Sequence, residues 1–201
     1  MHSHAHADTS PEGRRRLLKW IGAAAAYGLA GGPALALEGP ARSLDVPFVP
    51  TPQSVVDRML EIASVKKGDL LYDLGCGDGR MVVTAAKRYG AKGIGVDLDP
   101  QRVSEAQANA KRAGVSDRTK FMVGDLFKTD LSDATVVTLY LLTSVNRQLR
   151  PQLWRQLKVG TRVVSHAFDM GDEWPPEKTE VVDGSTIYYW TITEKQKRAV
   201  A

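Results

Sequence analysis

The chain has 201 residues, of which 43% are hydrophobic and 25% are charged, a composition typical of a soluble globular protein. It excludes disorder along the whole length and, because no stretch approaches the roughly 20 strongly apolar residues that each crossing needs, a multi-span membrane protein. The net charge of +4 would suit a nucleic-acid-binding protein, so the distribution of that charge along the chain matters. The single cysteine, Cys76, excludes an intrachain disulfide.

The first 36 residues differ in composition from the rest of the chain. Basic residues at positions 14–16 and 19 precede an apolar run over 21–37, which contains an A-x-A sequence at 34–36. This order is typical of an export signal, and the paired arginines resemble a twin-arginine signal peptide. We therefore expect residues 1–36 to be either the cleaved signal peptide of an exported, periplasmic protein or an uncleaved membrane anchor. A cytoplasmic leader is the alternative.

Half of the net positive charge is lost with this leader. Removing residues 1–36 takes away four basic and two acidic residues and lowers the net charge from +4 to +2. The basic residues that remain are scattered, except for Lys195, Lys197 and Arg198, which we interpret as a solvated basic tail over 194–201. We therefore predict no nucleic-acid partner. We also predict no metal site, because no carboxylate or cysteine completes a ligand set with the alternating histidines near the N-terminus.

Beyond a linker at 37–46, the chain alternates short apolar runs with segments of helical periodicity, as parallel α/β sheets do. The predicted elements are, in chain order, a helix opened by Thr51 as N-cap and Pro52, a strand at 70–74, a helix at 81–89, a strand at 93–97, a helix at 100–113, strands at 119–123 and 134–142, a helix at 144–157 and a strand at 162–168. Pro151 predicts a kink or break in the last helix. Asp183-Gly184 predicts an antiparallel hairpin between strands at 180–182 and 185–192.

The strongest chemical signal follows the first predicted strand. Residues 73–79 (DLGCGDG) lie where a helix begins, and glycines there let the backbone approach a ligand closely. A dinucleotide fingerprint would need a glycine at position 80, which is Arg80. The Asp73 carboxylate suits an ammonium group better than a pyrophosphate. A nicotinamide-dependent oxidoreductase is therefore the less favoured enzymatic alternative.

Two more aspartates follow the next two strands. Asp97 ends the second strand, where a carboxylate accepts hydrogen bonds from ribose hydroxyls, and Asp125 ends the third, within reach of the exocyclic amine of an adenine. With Asp73 facing an ammonium group, the three carboxylates predict a cationic, phosphate-free nucleoside ligand.

On these motifs, residues 47–193 resemble the class I S-adenosylmethionine (SAM) dependent methyltransferases. The resemblance implies a Rossmann-like α/β fold whose seven-stranded, mostly parallel sheet ends in an antiparallel hairpin and carries helices on both faces. It also implies SAM as the cofactor. From the methionine end to the adenine ring, the implied cofactor-binding residues are Asp73, Gly75, Gly77, Gly79, Asp97, Leu98, Asp125 and Leu126.

A narrower resemblance rests on Val46–Thr51 (VPFVPT), the glycine segment 73–80 and Thr138–Leu142 (TLYLL). These segments are similar to the family that contains the lysine methyltransferases of the ATP synthase c subunit and the adenine nucleotide translocase. The resemblance implies a protein lysine as the methyl acceptor and membrane association through the N-terminal segment. Tyr140, which this fold places beside the transferable methyl group, is the catalytic candidate, with a core or lip residue as the alternative.

Three further residues have two interpretations each. His166 is either a base or, as we favour, a hydrogen-bonded structural histidine. Cys76 is more consistent with a filler of a tight turn than with a nucleophile. Trp174 begins a Trp-Pro-Pro loop that either forms a lip over the acceptor or is simply covered.

A third functional class is a non-catalytic, exported nucleoside-binding protein on a methyltransferase fold. The leader favours it, because SAM is made in the cytoplasm and a periplasmic enzyme would lack a supply.

Overall fold

The computed structural model describes residues 49–200. The predicted targeting segment at 1–36, the linker at 37–46 and the start of the VPFVPT segment lie outside the described residues.

Five α-helices and seven β-strands form within residues 49–200. The helices are α1 (Gln53–Ile62), α2 (Arg80–Tyr89), α3 (Pro100–Ala113), α4 (Thr143–Gln156) and α5 (Glu194–Arg198). The strands are β1 (Leu70–Leu74), β2 (Lys92–Asp97), β3 (Thr119–Val123), β4 (Val136–Leu139), β5 (Arg162–His166), β6 (Lys178–Val182) and β7 (Ser185–Thr191). Over the same residues, no helix has both the length and the apolar character needed to span a bilayer.

The strands form one sheet in the order β3-β2-β1-β4-β5-β7-β6. β1 to β5 run parallel, and β7 is antiparallel to both of its neighbours. Asp183 and Gly184 join β6 to β7 with φ values of 49° and 78°, and positive φ at both residues is what a type I′ hairpin turn requires. The predicted parallel sheet with an antiparallel C-terminal hairpin is confirmed. The strand order reverses beside β1, which opens a crevice at the carboxyl ends of the strands.

Buried side chains cover both faces of this sheet. Residues alternate along β1, so that Leu71 packs with the apolar faces of α1, α2 and α3, whereas Leu74 packs with α4 on the opposite face. The apolar residues Val55, Val56, Met59 and Leu60 of α1 are buried, as are Val145, Leu149 and Leu153 of α4. Helices therefore cover both faces, as expected.

Several predicted boundaries are wrong, and among them β4 begins two residues later than predicted and β6 two residues earlier. α1 begins at Gln53, with Pro52 as its N-cap and no capping hydrogen bond from a described side chain, because the hydroxyl of Thr51 has another partner. β4 ends at Leu139 and β5 at His166, each before its apolar run ends. After β5, Ala167 has a φ of 64°, which turns the chain out of the sheet.

Pro151 does not break the last predicted helix, because α4 is continuous from Thr143 to Gln156. A proline removes one helical hydrogen bond, and the buried Leu149 and Leu153 on either side hold the helix against the sheet.

The predicted solvated tail is also wrong in part. Residues 194–198 form α5, which begins with a capping box at Thr193. Lys197 Nζ donates hydrogen bonds to the carbonyl oxygens of Trp154, Arg155 and Leu157, at 2.9, 2.7 and 3.0 Å. A cation at these carbonyls stabilises the C-terminal end of α4.

Candidate active site

A cavity of about 330 Å³ opens at the carboxyl ends of β1, β2 and β4. Its walls come from the segment before α1, the glycine turn after β1, the end of β2, and the chain between β4 and α4. The cavity brings together seven of the nine residues that the sequence nominated: Asp73, Gly75, Gly77, Asp97, Leu98, Leu126 and Tyr140.

The glycine turn holds its shape through its own backbone. Gly75 and Gly77 have φ values of 79° and 52°, and a Cβ on Gly75 would lie 3.0 Å from Leu141 Cδ2. The Gly75 N–H donates to the Val96 carbonyl at 2.8 Å, and the Gly77 N–H donates to Asp97 Oδ2 at 2.8 Å. These donors are engaged within the protein rather than offered to an anion, which fits a ligand without phosphate.

Gly79 has a packing role. It does not line the cavity, and a Cβ built on it would lie 2.7 Å from both Ala106 Cβ and Phe121 Cε1. Its φ of 77° and these contacts let α2 begin directly against α3 and β3. Close helix packing therefore explains this glycine without any contact to a cofactor.

Asp73 presents a buried carboxyl group to the cavity. Its side chain is only 8% exposed, and Oδ1 accepts a 2.7 Å hydrogen bond from Thr138 Oγ1 on the neighbouring strand. Burial, aided by the nearby charges of Asp97 and Asp78, outweighs that hydrogen bond and raises the pKa of Asp73 to about 7. A bound cation would recover the energetic cost of ionising this group.

Asp97 is fixed by two backbone donors. Its Oδ2 accepts from the Gly77 N–H, and its Oδ1 accepts from the Asp99 N–H at 3.0 Å. Each carboxylate oxygen has a second lone pair, so the group can still accept from the two hydroxyls of a diol. Asp99 caps α3 by accepting from the Gln101 N–H at 2.8 Å, and Pro100 follows as the first residue of the helix predicted over 100–113.

Asp125 lies beside the cavity rather than in its wall. Gly124 and Leu126 line the cavity, whereas the Asp125 carboxylate caps a short 3-10 helix by accepting from the Phe127 N–H at 2.9 Å. Its contact with an adenine therefore stays a prediction.

Tyr140 and Phe168 line the cavity together with Leu142, which is 38% exposed, and these three residues are called the mouth of the cavity. The ring centroid of Tyr140 is 3.9 Å from that of His166 and 6.1 Å from that of Phe168. His166 is 3% exposed, burial lowers its pKa, and Nδ1 hydrogen-bonds Thr51 Oγ1 at 3.2 Å. The structure thus favours the hydrogen-bonded interpretation of His166 over a base.

Two other interpretations are resolved. Burial and the charge of Asp73 raise the pKa of the Cys76 thiol well above its usual range, and the sulfur fills space against Gly95, so Cys76 is a filler. Trp174 is buried, with ring centroids 5.7 Å from those of Trp154 and Trp190. Trp174 is therefore a core residue, and neither it nor the two prolines that follow line the cavity.

Two site residues, Phe168 and Arg80, were not nominated from the sequence. Phe168 lies in the cavity wall, and Arg80 Nη1 donates to the Thr51 carbonyl at 2.7 Å. Thr138, which the TLYLL segment includes beside Tyr140, is the partner of Asp73. Arg80 could have been recognised from the sequence as a site residue. It is a charged residue at the start of a helix next to the glycine turn, at the position where a dinucleotide fingerprint has a glycine.

Known proteins resemble the chain over this fold and site. Residues 73–178 match the ANTKMT methyltransferase domain. A protein-lysine N-methyltransferase of Saccharolobus islandicus is 50% identical over 153 residues, which are 74% of this chain and 95% of the relative. The mouse lysine N-methyltransferase of the ATP synthase c subunit is 30% identical over 157 residues, and the match spans 78% of this chain and 62% of that longer protein.

Among solved structures, a Salinibacter ruber protein named an RNA methyltransferase, in complex with S-adenosyl-L-homocysteine, is 59% identical with a TM-score of 0.71. The match covers 73% of this chain and 95% of that one. The fold and the site are those of the class I SAM-dependent methyltransferases. Within that class, the chain belongs to the ANTKMT methyltransferase domain family.

Proposed function

We propose that this protein transfers a methyl group from SAM to the ε-amino group of a lysine in a protein. One observation carries the proposal: a single cavity joins a half that contains the carboxyl groups of Asp73 and Asp97 to a mouth lined by Tyr140, Leu142 and Phe168. The first half suits a cationic nucleoside, and the second suits the aliphatic stem of a lysine.

The cofactor half fits SAM on the structure's own features. The buried Asp73 carboxyl would hold the ammonium group, and Asp97 keeps acceptor capacity for the ribose hydroxyls. Gly75 and Gly77 would border the methionine end, where a Cβ on Gly75 would reach Leu141. Leu98 and Leu126 would pack on the adenine ring, and Asp125 is proposed to accept from its amine.

When bound, SAM supplies a methyl group attached to a positively charged sulfur. The chain has to present the acceptor amine in line with that bond and with its lone pair free. A lysine has an ordinary pKa near 10.4, and an apolar mouth lowers it by disfavouring the charged ammonium. Removal of the proton to solvent before the amine enters requires no base in the cavity wall.

We propose that Tyr140 orients the entering amine through its phenolic oxygen. Tyr140→Phe should then lower kcat by about tenfold while changing the Kd for SAM little. Radiolabel transfer and calorimetry measure the two quantities, and an unchanged kcat would remove Tyr140 from the site.

The charge around the mouth supports a cationic acceptor. Residues 167–173, which include the cavity-lining Phe168, carry three acidic side chains, those of Asp169, Asp172 and Glu173, and no basic one. Two guanidinium groups of α4 lie against this loop, those of Arg147 and of Arg150, which pairs with Glu173, and the three carboxylates outnumber them. An acidic loop attracts a lysine-bearing surface and repels a phosphate backbone. The name of the Salinibacter protein makes RNA the second candidate acceptor.

The experiment offers methyl-labelled SAM and the purified protein to the protein and RNA fractions of one cell extract. We expect label that becomes soluble on protease treatment and resists ribonuclease. Asp97→Ala, which removes the acceptor for the ribose hydroxyls, is the control and should lose both SAM binding and label transfer. Label that ribonuclease alone releases would replace lysine with RNA as the acceptor.

We also propose that residues 1–36 anchor the protein to the membrane without cleavage, so that the catalytic domain faces the cytoplasm and its SAM supply. Fractionation of cells with sequencing of the mature N-terminus tests this. A membrane-bound chain that retains its leader is expected, whereas a periplasmic chain that begins near Leu37 would contradict it.

A further inference from the structure

The chain just before α1 is held in the cavity wall because one of its residues, Thr51, makes hydrogen bonds with two different partners. Val49, Pro50 and Thr51 line the cavity, and Thr51 is 8% exposed. The Thr51 carbonyl accepts from Arg80 Nη1 at 2.7 Å, and its hydroxyl bonds His166 Nδ1 at 3.2 Å. Thr51 is therefore tied both to the glycine turn and to the end of β5.

The tie to the glycine turn is rigid. Arg80 Nε donates to Asp78 Oδ1 at 2.9 Å, and Arg80 Nη2 donates to Asp78 Oδ2 at 2.6 Å. This two-point contact fixes the plane of the guanidinium and aims its remaining donor at Thr51.

His166 contacts two walls at once without lining the cavity itself. Its ring bonds Thr51 on one side and lies 3.9 Å from the Tyr140 ring on another. Thr51 and Tyr140 both line the cavity, so the position of this imidazole sets the distance between the two walls.

Because the Thr51 hydroxyl bonds His166, it does not cap α1. Threonine beside Pro52 at a helix start commonly caps the helix, yet no described side chain caps α1. Thr51 thus bonds His166, which is 115 residues away in sequence, instead of capping the adjacent helix. Such a departure from a local preference is characteristic of functional sites.

We propose that His166 is a positioning residue for methyl transfer. Through Thr51 and Tyr140, it holds apart the two walls between which the acceptor reaches the methyl group. This inference rests on methyl transfer in the cavity and not on lysine as the acceptor. Label found in RNA would overturn the lysine proposal and would leave the following test unchanged.

The test is a double-mutant cycle with Thr51→Val and His166→Phe. Both changes delete the hydrogen bond, while valine keeps the shape of threonine and phenylalanine keeps a ring against Tyr140. The acceptor is the fraction that wild-type protein labels. We expect each variant to lower kcat by about ten- to a hundredfold and to change the Kd for S-adenosylhomocysteine by less than about threefold.

The double variant should be no slower than the slower single variant, because the two substitutions delete the same hydrogen bond. Thr51→Ser, which keeps the hydroxyl, should recover most of the wild-type kcat. Losses that multiply in the double variant would overturn the proposal, as would a wild-type kcat in Thr51→Val. If His166→Phe fails to fold, Thr51→Val with its serine counterpart decides the outcome alone.

Discussion

Thr138 Oγ1 donates a 2.7 Å hydrogen bond to Asp73 Oδ1, and the two residues face each other across β4 and β1. Both side chains are buried, so the hydroxyl replaces a water molecule that an exposed carboxylate would have. The sheet register thus orients a carboxyl group at the place where the cofactor's ammonium group is expected.

We predict that Thr138→Val weakens SAM binding. The substitution preserves volume but removes the hydrogen bond that favours the ionised carboxylate, so we expect the Kd to rise by about five- to twentyfold. Calorimetry with S-adenosylhomocysteine measures it. Thr138→Ser is the matched control and should bind within about threefold of wild type, and a wild-type Kd for the valine variant would show that Thr138 does not support Asp73.

Cofactor affinity should increase with pH between 6 and 8. The pKa of Asp73 is raised to about 7 by burial, so at pH 6 most of the free protein carries a neutral carboxyl group there. A bound ammonium group requires the ionised form, so binding at pH 6 should release about one proton, and the affinity should rise about tenfold by pH 8. Calorimetry in two buffers of different ionisation enthalpy measures both effects. A Kd independent of pH would rule out Asp73 as the ligand of the ammonium group.

The same carboxyl group should destabilise the free protein at high pH. A carboxyl whose pKa is higher in the folded state than in the unfolded chain binds more protons when folded, so its contribution to the free energy of unfolding falls as pH rises through about 7. The stability of Asp73→Asn relative to wild type should therefore increase by about 2–3 kcal/mol between pH 5 and pH 8. Urea unfolding without cofactor measures this difference in stability, and a difference that does not change with pH would be inconsistent with the raised pKa.

Gly79 and Gly114 allow a packing role to be separated from backbone strain. Both have positive φ, 77° and 70°, but a Cβ on Gly79 would meet Ala106 and Phe121, whereas one on Gly114 would meet nothing within 4 Å. Gly114→Ala should cost about 1 kcal/mol of stability, and Gly79→Ala should cost about 1–3 kcal/mol more. Thermal unfolding compares the two variants. Equal losses would mean that close packing does not explain Gly79.

Local sequence signals predicted the elements that have local causes. α3 begins and ends where Asp99-Pro100 and Gly114 place it, because a capping side chain and a left-handed glycine act within one helical turn. β4 was predicted too long because Leu141 is apolar for another reason, as it lies buried in the cavity wall. Hydrophobicity reports burial and does not distinguish a strand from a cavity wall.

The candidate site was predictable where one residue type at a strand end carries the chemistry, as with Asp73 and Asp97. Thr51 was misassigned because its hydroxyl bonds His166, a partner that only the folded chain brings near. Phe168 was missed for the same reason, since its place in the cavity wall depends on the turn at Ala167.

The central claim is methyl transfer from SAM to a lysine, and the most direct test is mass spectrometry of the acceptor after reaction with SAM that carries a deuterated methyl group. We predict labelled methyl groups on lysine side chains in the wild-type reaction and none with Asp97→Ala. Labelled methyl groups found only on RNA nucleosides, with every lysine unlabelled, would contradict it.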